Sequence, residues 1–136
     1  MYDTFEHTAD IGLRVRAADL GELFADAARA LFSVMVGNLE TVRPVESVSI
    51  SLPADDTDAL LRAWLAELLY VFQVRRMVFS GFDVNVGPQG LEAVARGEPI
   101  DPARHQTDVE IKAVTWHGLK LERTDGGWLA EVIVDI

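Results

Sequence analysis

The stretch Leu20-Gly21-Glu22-Leu23-Phe24-Ala25-Asp26-Ala27-Ala28-Arg29-Ala30-Leu31-Phe32-Ser33-Val34-Met35 decides the fold. Within it Leu20, Leu23, Phe24, Ala27, Ala28, Leu31, Phe32 and Met35 recur at intervals of three and four, which draws one apolar stripe along a helix. Asp19 stands where the first turn needs an acceptor, and Glu22 three residues later completes a capping-box pattern. Gly37 is the residue expected to end the helix, in the left-handed conformation that glycine adopts at little cost. Ahead of the helix, Leu13 to Arg16 alternates apolar with basic letters and, with Ile11, reads as a half-buried strand.

Downstream, Val48, Ile50 and Leu52 alternate with serines, so a strand with one dry face is expected. Pro53 and the run Asp55-Asp56-Thr57-Asp58 follow, where negative charge favours the start of a second helix. Its stripe is Leu61, Trp64, Leu65, Leu68, Leu69 and Phe72, with Arg75 and Arg76 at its C-terminal end. Phe82, Val84 and Val86 alternate, Gly87-Pro88-Gln89-Gly90 turns the chain, and Leu91, Ala93 and Ala95 alternate again, which is a hairpin. Val109, Ile111 and Ala113 predict another strand, Leu119 and Leu121 a further one, and Asp125-Gly126-Gly127 turns into Trp128 to Ile136. These elements imply a single α+β domain over residues 1–136, with two helices packed on one face of a largely antiparallel sheet. No run of βαβ repeats supports a doubly wound sheet.

Composition narrows the function. A chain of 136 residues, about half apolar, can bury one core without staples. It has no cysteine, which removes disulfides, zinc–thiolate sites and thiol nucleophiles together. Met1 to Phe5 offer no basic segment followed by an apolar run, and no apolar stretch reaches a membrane span, so a soluble cytoplasmic protein is expected. With 22 acidic residues against 12 basic ones, strong direct binding of a phosphate backbone is not expected. The charge of −10 suits a basic protein partner or divalent cations, and equally a solvated acidic surface.

Three polar groups stand out from the core pattern: Glu6-His7-Thr8-Ala9-Asp10; Arg104-His105 with Glu110, Lys112 and Thr115-Trp116-His117; and the chain end at Asp135-Ile136. The first can ligate a metal, act as acid and base, or form a turn, since Thr and Asp commonly bond their own backbone. At the end, a strand held to its last residue would fix Asp135 beside the Ile136 carboxylate, and paired carboxylates raise each other's pKa or recruit a cation. Oxygen ligands select hard ions such as calcium, magnesium or manganese over zinc. His7, His105 and His117 match no known ligand spacing, and ordinary surface or half-buried histidines are the simpler reading. No Gly-x-Ser-x-Gly elbow or Gly-x-x-x-x-Gly-Lys phosphate loop is present.

Five blocks together resemble the archease family: His7-Thr8-Ala9-Asp10-Ile11-Gly12 with Leu20-Gly21-Glu22-Leu23-Phe24; Trp64-Leu65-Ala66-Glu67-Leu68-Leu69; Arg96-Gly97-Glu98-Pro99 with Arg104-His105; Glu110-Ile111-Lys112-Ala113-Val114-Thr115-Trp116-His117; and Val134-Asp135-Ile136. The resemblance spans essentially the whole chain and implies an archease-like α+β sandwich. It also implies an activator, not an enzyme, whose partner is the RtcB-type tRNA-splicing RNA ligase. That enzyme guanylylates its own histidine with GTP and Mn²⁺ before joining RNA ends, and archeases promote this step and multiple turnover. By the same resemblance a metal site falls on Asp10, Asp135 and the carboxylate of Ile136. Glu6 stands where relatives often have Asp, and its longer side chain leaves a direct role open. Asp19 is not assigned to the site, since capping suffices to explain it. The rival readings are a small metal-dependent hydrolase using Asp10, Asp135 and a histidine, and a general chaperone-like binder.

Overall fold

The computed structural model describes residues 1–7, 10–107 and 109–136, with the side chains of residues 6 and 7 outside the description. Helix α1 runs Leu20–Met35, and the Asp19 carboxylate accepts the Glu22 N–H at 2.9 Å, as the capping pattern predicts. It ends differently from expectation. Val36 turns extended, its N–H bonds the Phe32 carbonyl at 2.8 Å, and it bridges to Thr107, while the Gly37 N–H donates to the Gln106 carbonyl. Gly37 is not in the left-handed region; the described glycines that are so are Gly90, Gly118 and Gly126. Pairing with a distant segment stops this helix, where local glycine chemistry was expected to.

Helix α2, Thr57–Tyr70, begins among the aspartates as expected, although Asp56 at its cap makes no side-chain cap bond. Arg75 and Arg76 lie beyond it. The chain continues through a π-helical turn, Val71–Arg75, and stops at Arg76, whose φ of 55° is left-handed.

The α+β class with two helices and antiparallel strands is as expected, and the strands divide between two sheets. β1 (Tyr2–His7), β2 (Asp10–Ala17), β8 (Gly127–Asp135) and β6 (Ala113–Val114) lie in that order, and β7 (Lys120–Thr124) pairs the earlier part of β8. β3 (Glu46–Pro53), β5 (Gly90–Pro99) and β4 (Met77–Gly87) make the second sheet. Val109 and Ile111 stand outside the ladders; of the expected strand only Ala113 pairs with β8, together with Val114.

Helix α1 packs on β2 of one sheet and β4 of the other, and α2 packs on α1, which closes one apolar core. Phe32 is its aromatic centre, 5.7 to 6.1 Å from the rings of Phe72, Phe79 and Phe82. Trp64 is fully buried and its indole N–H donates to the Phe24 carbonyl at 2.9 Å, which ties the two helices by a bond that would be costly to leave unmade. No helix among the described residues is long and apolar enough to cross a membrane.

Candidate functional site

β2 begins at Asp10 and β8 ends at Asp135, and the antiparallel register sets these residues directly opposite each other. Partners at such positions have Cβ atoms roughly 4.5–5.5 Å apart. On the far side of Asp10 the backbone of His7 is its β1 partner, and on the far side of Asp135 the partner is Ala113 of β6. The Lys112 N–H donates to the Asp135 carbonyl at 2.7 Å, which extends the pairing past β6. A row of four residues therefore crosses the end of the five-stranded sheet.

Side chains alternate along each strand. Leu13, Val15, Val132 and Val134 enter the core, so Asp10 and Asp135 emerge on the opposite face, away from the helices, and both are half-buried. Ile136 follows β8 and is exposed, one residue past the pairing that was expected to hold it. Asp10 and Asp135 are thus brought together from opposite ends of the chain, with Ile136 adjacent to one of them.

The same face carries a feature that composition and periodicity did not reveal. Phe5 is the ladder partner of Gly12, and its ring lies across it: a Cβ on Gly12 would sit 2.1 Å from the Phe5 Cζ. The Arg14 guanidinium stacks on that ring at 4.7 Å and donates to Glu131 at 2.8 Å. Phe5, Gly12 and Arg14 thereby clasp β1, β2 and β8 together next to the acidic row. A glycine inside an otherwise regular strand was the available signal, because such a position marks a close approach.

The donors at this sheet end are carboxylate oxygens, suited to hard divalent ions that take six or more oxygens. Among the described residues, no group of three or more His, Asp or Glu side chains is arranged to hold a metal ion. The side chains of Glu6 and His7, and residues 8 and 9, lie outside the described residues.

The other candidates are elsewhere in the fold. His105, 3% exposed, joins a buried ion cluster around Glu98, which is 6% exposed. Glu98 lies just beyond a register shift in β4–β5, and neighbouring Gly97 is required there because a Cβ would fall 1.8 Å from the Val78 carbonyl oxygen. The Glu98 carboxylate accepts from both terminal nitrogens of Arg104, one of them at 2.9 Å, and from the Arg43 N–H at 2.6 Å. His105 Nδ1 accepts the Asp101 N–H at 2.9 Å, so its proton is on Nε2, which donates to Glu98 at 3.2 Å. The Arg104 hydrogen bonds, aided by Arg43 and His105 against the opposing effect of burial, lower the Glu98 pKa from 4.5 to about 2. This cluster binds the loop after β5 to the segment after α1, and it explains His105 without a metal. His117 lies exposed in the turn before β7, and Asp19 serves as the α1 cap.

Comparison with known proteins bears on the whole chain. Residues 2–136 match the model of the archease protein family (MTH1598/TM1083). The protein archease of Methanopyrus kandleri is 42% identical over 139 residues, covering 99% of this chain and 99% of that one. That of Pyrococcus furiosus is 38% identical over 140 residues, covering 99% and 98%. Among solved structures, protein 1598 of Methanobacterium thermoautotrophicum superposes with a TM-score of 0.85 at 34% identity, covering 99% of this chain and 98% of that one. An archease of Thermotoga maritima, described as a possible chaperone, shares the fold with a TM-score of 0.69 at 21% identity, covering 100% and 98%. With the family model matched from residue 2 to residue 136 and relatives this similar over their full length, the chain belongs to the archease family.

Proposed function

We propose that this protein is an accessory factor of an RtcB-type RNA ligase, promoting guanylylation of the ligase histidine and multiple turnover in tRNA splicing or RNA repair. The observation that supports the reading is the pairing of Asp10 with Asp135, which sets two carboxylates side by side on the outer face at one sheet end. Carboxylates at facing ladder positions repel unless a proton or a cation lies between them. Asp10, Asp135 and the carboxyl group of Ile136 form the oxygen set for a divalent cation, calcium first, with magnesium or manganese as alternatives. Such an ion would supply positive charge for nucleotide phosphates. The chain's own residues hold and present that charge, and the clasp of Phe5, Gly12 and Arg14 keeps the presenting strands in register. Bond formation belongs to the ligase, so no residue here is assigned a catalytic role. The net charge of −10 favours a protein over an RNA backbone as the direct partner, in a cytoplasmic setting.

Labelling of the cognate ligase with radioactive GTP, with and without the protein, tests this. Acceleration by the wild type and none by a folded Asp10→Ala variant is the expected result. Full stimulation by that variant would remove the acidic end from the mechanism. A wild type without effect would refute the ligase reading, and phosphoester turnover by the protein alone would make it an enzyme.

A further inference from the structure

Tyr2-Asp3-Thr4-Phe5-Glu6-His7 forms an outermost strand, because β1 pairs only with β2. Met1 and Arg16 exchange both main-chain bonds, at 2.9 and 3.0 Å. In this antiparallel register Asp3, Phe5 and His7 likewise turn their main-chain groups towards β2. Tyr2, Thr4 and Glu6 therefore direct N–H and C=O off the edge, where no strand meets them among the described residues. Edges are commonly blunted by proline, lysine or a bulge, and β1 runs from Tyr2 to His7 with none of these.

A groove of about 590 Å³ lies beside this edge. Tyr2 and Thr4 line it from the side of the sheet that buries their ladder partners, Val15 and Leu13. Ser33 and Val34 near the end of α1 line it as well, with Val109. A strand added beside β1 turns every second side chain into this groove, where Val34 and Val109 favour apolar residues.

The outer face sets the charge of the residues between. Lys120 faces Glu131, Glu131 faces Arg14 and Arg14 faces Asp3, so four adjacent strands carry alternating signs at one level. Arg14 Nε donates to Glu131 at 2.8 Å, whereas its guanidinium stands 3.7 Å from Asp3. The Asp3 side chain is 63% exposed and has no other ion pair among the described residues. Opposite charges at facing positions stabilise a ladder and like charges oppose it, so the next position outward calls for lysine or arginine. Asp3 also lies on the same outer face as Asp10, since His7, the ladder partner of Asp10, is four positions along β1. An added strand stands two strand spacings from β2, so its residue beside His7 comes within roughly 10 Å of Asp10.

We propose that β1 takes an extended segment of the protein partner as a further strand, with lysine or arginine facing Asp3 and apolar residues on either side turned into the groove. The identity of that partner rests on the ligase reading. Main-chain bonds to Tyr2, Thr4 and Glu6 supply affinity, and the alternate side chains supply selectivity. A second copy of this chain is the less favourable occupant, because its own β1 brings Asp3 and Glu6 as charges and each copy carries −10. Two tasks are thereby separated: β1 holds the partner, and Asp10 with Asp135 acts beside it.

The full-length protein is titrated into the cognate RtcB-type ligase, with affinity read by calorimetry, guanylylation by labelled GTP and main-chain exchange by NMR. The Tyr2, Thr4 and Glu6 amides are expected to exchange fast in the free protein and roughly tenfold or more slowly in the complex. Thr4→Pro removes one outward N–H and leaves the β2 ladder whole, a place where an edge strand tolerates proline. It should weaken binding about tenfold or more, at an unchanged melting temperature, and raise the concentration for half-maximal stimulation equally. Thr4→Val, which keeps the N–H, should bind as the wild type does. Asp3→Lys should weaken binding too, by repelling the basic residue that faces it. Should Thr4→Pro lower the melting temperature, amide exchange of the wild type decides alone. If the wild type stimulates while Thr4→Pro binds equally well and the three amides exchange as fast as before, the β1 site is refuted and the ligase reading stands. If the wild type neither binds nor stimulates, both fall. A dimer of the protein alone in sedimentation, dissociated by Thr4→Pro, makes the occupant a second copy and overturns the proposal.

Discussion

Glu98 and Asp135 are both carboxylates near strand ends, and they lie in opposite surroundings. Glu98 is buried and accepts from Arg104, Arg43 and His105, so its charge is answered within the fold. Asp135 is half-buried on an outer face, and its ladder partner is a second aspartate. Stability gathers where the charge is answered by neighbours. Asp10 and Asp135 instead set two like charges at facing ladder positions, the arrangement on which the proposed cation site rests.

The same chemical change in the two regions should therefore give different results. Glu98→Gln removes the charge of the buried carboxylate that joins half-buried Arg104, the Arg43 N–H and buried His105, leaving Arg104 only Asp101 at 4.0 Å. It should lower the melting temperature by roughly 10 °C or more. Asp135→Asn removes one of two facing like charges and should leave the melting temperature within about 2 °C of the wild type. Thermal unfolding by circular dichroism compares them directly, and equal losses would erase the distinction.

A smaller effect is expected beside the acidic row. Gly12→Ala drives a Cβ into the Phe5 ring and should cost about 1–3 kcal/mol in denaturant unfolding. Adding Phe5→Ala makes room for that Cβ, so the double variant should lose less than the sum of the two single ones.

Acid titration sharpens the contrast again. The folded Glu98 pKa of about 2 lies below its ordinary 4.5, so its contribution to stability is full above about pH 4.5 and is lost as the pH falls towards 2. In Glu98→Gln that part of the acid-induced loss should vanish, read as a flatter dependence of unfolding midpoint on pH between those values. The smallest effect is expected for the partly exposed Arg14–Glu131 pair, where a double-mutant cycle should give about 0.5 kcal/mol of coupling.

How much of this could be read in advance depended on whether the determining contact was local. The start of α1 was legible because Asp19 and Glu22 are neighbours in sequence and in space. Its end was not, since Val36 is halted by Thr107 from a distant segment. β1 escaped notice because its phenylalanine faces outward over Gly12, while Tyr2 and Thr4 take the inward register, so no apolar alternation marks it. Val109 and Ile111 misled in the opposite sense: Ile111 is buried without a ladder partner, and alternation records burial, not hydrogen bonding. The division into two sheets likewise depends on which strands choose each other over long separations. Nor does periodicity announce that Asp10 meets Asp135, since only the β2–β8 register brings the two chain ends together. The family resemblance implies that both residues share a site, and the register sets them at facing positions.

The central claim is that the paired carboxylates form a cation site. Isothermal titration of calcium into the full-length protein, repeated with Asp135→Asn, tests it most directly. The account predicts saturable one-site binding by the wild type and a loss of at least tenfold in affinity for the variant. Equal affinity in both, or no binding to the wild type by calcium, magnesium or manganese, would contradict it.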